Sequence, residues 1–102
     1  MTDDLITWLR TVLDEVETAA ARDLASVERH DLAVEILVEV DAKRRILDAY
    51  ERARDAGATA FQTQYEAGRA AGLEEAVELL ALPYAGRPDY REEWRCSAAG
   101  WA

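Results

Sequence analysis

A chain of 102 residues with 21 acidic and 12 basic side chains, net charge −9, is one small domain that repels nucleic acid and anionic membrane surfaces. Its one cysteine, Cys96, excludes an intramolecular disulfide and a cysteine-based zinc cage, and no apolar run approaches membrane-spanning length. Half of the residues are apolar, but 20 of them are Ala, which buries little surface; the core is small, and self-association is one way to complete it.

The opening, MTDDLITWLR, places acids where a signal peptide needs a basic region, so a cytoplasmic location is expected. Thr2 is a fitting cap for a first helix, with Asp3 and Asp4 favourably placed at its positive end. Leu5, Leu9, Val12 and Val16 recur at helical spacing, Ile6, Trp8 and Leu13 widen the stripe, and Ala20, Leu24 and Val27 extend it. Acidity concentrates here: residues 1–28 hold seven acids and two bases, against seven and six in residues 29–56 and seven and four in residues 57–102.

Asp31 reads as the cap of a second helix. Leu32, Val34, Ile36, Val38 and Val40 alternate as in a strand. However, Ala33, Ile36, Leu37, Val40, Leu47 and Tyr50 share one helical face, and no turn residue separates the segment from AKRRILDAYERARDA. The reading is helix, ending at Gly57. A third helix is expected from about Thr59, with Phe61, Tyr65 and Gly68 inward. Gly68 and Gly72 permit a close helix contact or a kink, Leu73, Val77 and Leu80 form an apolar face, Glu74, Glu75 and Glu78 are solvated, and Pro83 ends the helix. Pro88 and Asp89 then open a short helical turn through Trp94. The expected fold is all-α: two long antiparallel helices, a third that can kink and a short C-terminal turn, as a single domain over residues 1–95 with a flexible tail, 96–102.

Two blocks, the RHD and AKRRIL elements of Arg29 to Leu47 and the ALPYA..PDYREEW element of Ala81 to Trp94, resemble those of a family of short actinobacterial and actinophage proteins of unknown function. The resemblance implies no established activity. Relatives tend to carry Pro where this chain has Leu32, and Asp-His where it has Gly86 and Arg87, so a role for that histidine does not carry over. Some also have cysteines ahead of the second block; here there are none.

His30 is the only histidine, which leaves no partner for a Ser-His-Asp or two-histidine metal arrangement. Glu35 and Glu39 lie one turn apart, but without Glu-x-x-His spacing they read as a solvated stripe, offset in part by Lys43. Lys43, Arg44 and Arg45 are the only basic cluster, fit for intramolecular ion pairs or for docking an acidic partner such as helix 1 of a second subunit. Tyr84, Tyr90 and Trp94 form either a clasp folded onto the helices, with Trp94 over Tyr84 or the end of helix 3, or a recognition surface. Val34 and Val38 lie off the main stripe of helix 2 and need cover from outside. The expectation is a non-enzymatic interaction module without cofactor, working as a homodimer or with a protein partner. The alternative is a phage-type regulatory or inhibitory protein whose acidic surface mimics nucleic acid.

Overall fold

The computed structural model describes residues 2–57 and 63–95, and in it the first apolar stripe becomes α1 (Thr2–Asp23), with Leu5, Leu9, Val12 and Leu13 almost wholly buried. α2 (His30–Gly57) is continuous, so the alternation at Leu32 to Val40 is a helical segment with hydrophobes on two sides. Ala33, Val40, Leu47 and Tyr50 are buried on its inner side, with Ile36 and Leu37 half-buried beside them. α3 (Gln64–Ala81) follows, then two 3-10 turns, Leu82–Tyr84 and Glu92–Trp94; there is no strand among the described residues.

The helices form a small bundle in which α2 packs on both α1 and α3. Ion pairs fix the direction of the first hairpin: Arg54 reaches Asp3, Arg10 reaches Asp48 and Glu51, and Arg44 reaches Asp14 and Glu17, so α1 and α2 run antiparallel. α3 runs back along α2. Its Glu74 lies at the level of Tyr50, where both approach Thr2, and Tyr84, just beyond its end, meets Lys43. Leu47, with no exposed surface, sits in the middle of the core, where truncation to Ala costs roughly 2–5 kcal/mol.

Several ends differ from expectation for local reasons. Thr2 is the first residue of α1 and its hydroxyl donates to Glu74 Oε1 at 3.0 Å, tying α1 to α3 instead of capping its own helix. Asp31 sits in the first turn of α2 rather than at its cap, while Ser26 Oγ accepts the Arg29 N–H at 3.3 Å. The α3 start at residue 59, and Phe61, lie outside the described residues. α3 is described from Gln64, with the Thr63 hydroxyl accepting the Glu66 N–H at 3.1 Å, a cap at Thr-x-x-Glu spacing. Tyr65 is 77% exposed instead of inward, and Gly68 is exposed as well. The glycines make no close contact: α3 is one unbroken helix, and a Cβ at Gly68 or Gly72 would meet nothing within 4 Å. Glu74 and Glu78 are half-buried where solvation was expected.

Candidate interaction surfaces

The C-terminal block doubles back along α1. Arg87 pairs with Glu15 at 2.7 Å and Arg91 with Asp4 at 3.1 Å, so the segment travels from the middle of α1 towards its start. This path brings Trp94, 5% exposed, against Trp8, with ring centroids 5.2 Å apart. Tyr90 completes a trio at 5.6 Å from Trp8 and 5.7 Å from Trp94. The packing partner is thus Trp8 of α1 rather than Tyr84. Tilted and edge-on rings at these distances add about 0.5–1.5 kcal/mol per pair beyond the area buried. Arg91 stands 5.2 Å from the Trp94 ring and Arg95 5.9 Å from that of Tyr90, both in cation–π range. Trp8 Nε1, Trp94 Nε1 and the Tyr90 hydroxyl are buried with no hydrogen-bond partner in the described structure, and burial holds the Tyr90 phenol above its ordinary pKa. The cluster is held by apolar area and ring contacts, against the cost of these unpaired polar atoms.

Tyr84 turns to α2, where Lys43 Nζ donates to its hydroxyl at 2.9 Å. The basic cluster is thereby dispersed, because consecutive helical residues point about 100° apart. Lys43 goes to Tyr84. Arg44 bridges Asp14 at 2.5 Å and Glu17 at 2.6 Å, which raises its own pKa and depresses that of Glu17. Arg45 stays at the surface with Asp41 at 3.0 Å. Lys43 therefore does not offset Glu39, as the spacing had suggested. Glu35 and Glu39 are exposed and enter no ion pair among the described residues.

Val34 and Val38 lie on the outer side of α2, 42% and 64% exposed. Both face away from the buried Val40 and Leu47, and the end of α2 that carries them also lacks a third helix alongside it. At 1.5 Å per residue, the 28 residues of α2 span about 42 Å and the 18 of α3 about 27 Å. With Tyr84 at the level of Lys43, the first third of α2 lies beyond the reach of α3. Leu24, Val27 and Leu32 are exposed at the same end, 37%, 97% and 57% respectively, making an apolar tip to the α1–α2 hairpin. His30 belongs to this tip: its ring Nδ1 lies 2.8 Å from the Leu24 carbonyl, which requires that nitrogen to donate. Among the described residues no group of three or more His, Cys, Asp or Glu side chains could hold a metal ion, and no helix is long and apolar enough to cross a membrane. Cys96 and the tail 96–102 lie outside the described residues.

Residues 2–96 match a family described as a family of unknown function (DUF6221). No curated protein and no solved structure matches the chain.

Proposed function

We propose that this chain, which belongs to the family of unknown function DUF6221, works as a non-enzymatic protein–protein interaction module through the uncovered end of its α1–α2 hairpin. The observation that carries this reading is that Leu24, Val27, Leu32, Val34 and Val38 are all exposed within the part of the hairpin that α3 does not reach. Isolated apolar side chains on a surface are ordinary, but a gathering of five at one end of a small domain marks a binding surface.

The nucleic-acid mimic has weaker support. Asp3, Asp4, Asp14, Glu15 and Glu17 of α1 are each paired with an arginine from α2 or the C-terminal segment, so the most acidic third of the sequence is largely neutralised at contact range. The test is capture from a lysate of the native host with tagged wild type and with the Val34→Asp, Val38→Asp double variant, read by mass spectrometry. Partners retained by the wild type and lost from the folded variant support the reading. Identical capture by the two proteins refutes it.

A further inference from the structure

The outer side of α2 carries a pattern that the exposed tip alone does not explain. Val34, Val38, Ala42, Arg45, Ala49, Arg52 and Ala56 fall at successive spacings of four, four, three, four, three and four, so they share one stripe opposite the buried Val40 and Leu47. Along this stripe every second or third turn offers a small residue, which lets another helix approach closely. Its charges are polarised. The N-terminal half is flanked by exposed Asp31, Glu35, Glu39 and Asp41, whereas Arg45 and Arg52 lie in the stripe on the C-terminal half, whose exposed acids Asp48 and Asp55 are engaged by Arg10 and Arg54. Arg52 is exposed and makes no ion pair among the described residues, and Arg45 has only the surface contact with Asp41 at 3.0 Å.

We infer that the surface is self-complementary and that its occupant is a second copy of this chain, with the two α2 helices packed antiparallel about a two-fold axis between Ala42 and Arg45. This rests on the interaction-module reading and specifies its partner. In that register residue i faces residue 87 − i of the partner, a pairing rule that follows from two-fold symmetry alone. Glu35 then meets Arg52, Val38 meets Ala49 and Ala42 meets Arg45, each pairing occurring twice. Glu39 falls opposite Asp48, whose carboxylate Arg10 already holds, and within a turn of Arg45. The opposite, parallel arrangement sets Glu35 against Glu35 and Arg52 against Arg52. Charge therefore selects the antiparallel pairing, and the valines of each copy gain cover over the alanines of the other. Arg44, Tyr50 and Arg54, which engage α1 and α3, point away from the stripe.

The experiment is sedimentation equilibrium from roughly 1 μM to 1 mM, the span suited to a small interface, on the wild type, Glu35→Lys, Arg52→Glu and an equimolar mixture of the two variants. Thermal melts confirm that each variant is folded, as exposed positions should allow. The wild type is expected to dimerise, and each variant alone to associate about tenfold more weakly, because two opposite-charge contacts become two like-charge contacts. The mixture should recover wild-type affinity as a heterodimer. In it the introduced lysine of one chain faces the introduced glutamate of the other, and the native Arg52 of the first faces the native Glu35 of the second. A wild type that stays monomeric over the whole range overturns the second copy as occupant; the capture experiment above, which does not depend on it, judges the interaction reading separately. A dimer indifferent to both reversals, or a mixture that recovers nothing, overturns the antiparallel register.

Discussion

Replacing Trp94 with Ala removes one ring from a three-ring cluster, and the structure allows its cost to be bounded. The side chain is 5% exposed, and its ring centroid lies 5.2 Å from that of Trp8 and 5.7 Å from that of Tyr90. Deleting a buried Trp costs about 3–5 kcal/mol through lost transfer energy and the cavity left behind, and the two ring pairings belong to that loss. Against it, the buried Nε1 without a partner disappears with the ring, which returns roughly 1–2 kcal/mol. The net expectation is a destabilisation of about 3 kcal/mol. For a domain of this size that lowers Tm by roughly 12–20 °C. Circular dichroism melts of wild type and Trp94→Ala, with urea titration at about 25 °C as a second measure, give the number directly. Trp94→Phe keeps most of the area and should lose no more than about 1.5 kcal/mol. A Tm within about 2 °C of wild type for Trp94→Ala would refute the clasp, and so would equal losses for Ala and Phe. A Trp8→Ala, Trp94→Ala cycle should show a coupling of about 1 kcal/mol, since each ring is the other's neighbour.

Three further outcomes are expected. Gly68→Ala and Gly72→Ala should each stabilise by about 0.5–1 kcal/mol, because both positions lie within α3 and a Cβ there would meet nothing within 4 Å; a lower Tm for either would show a backbone need that the geometry does not contain. Burial raises the folded-state pKa of Tyr50 and Tyr90 above the ordinary 10.0, so their contribution is fully present below that pH and is lost as pH rises through the folded values. Melts should therefore fall above about pH 10, and the Tyr50→Phe, Tyr90→Phe double variant should flatten that fall. Arg44→Met, which keeps the aliphatic stem but releases Asp14 and Glu17, should cost about 1 kcal/mol at low salt and less at about 1 M salt, because the contacts are near the surface; a salt-independent loss would assign the effect to packing.

How far the sequence was legible depends on the range of the contact. The stripe Leu5, Leu9, Val12 and the face Ala33, Val40, Leu47, Tyr50 repeat within a few turns, and both emerge buried as their spacing requires. The Gly57 stop was equally local. The sequence marks Trp94 as part of a clasp or a surface, but its partner Trp8 reads as one more hydrophobe widening a stripe. No spacing rule connects residues 86 positions apart. Tyr65 faces outward, against its spacing, because α3 overshoots the described ends of the other two helices at its start. Glu74 stands level with Thr2 and Tyr50, and Asp3 with Arg54, so the first turn of α3 passes the described ends of α1 and α2. The scattering of Lys43, Arg44 and Arg45 needed only the step of about 100° per residue of a helix, and was readable from the start. The lack of close packing at Gly68 and Gly72 was not, because it depends on what stands opposite.

The seam between the start of α1 and residues 87–94 also constrains the order in which this protein can fold. Asp4 with Arg91 and Trp8 with Trp94 are contacts between the two ends of the described chain, closed over nearly its full length. The α1–α2 hairpin is local and can assemble quickly, but Trp8 stays open to water until the last turn arrives. During synthesis the nascent hairpin must therefore wait, with one large aromatic uncovered, until Trp94 has left the ribosome.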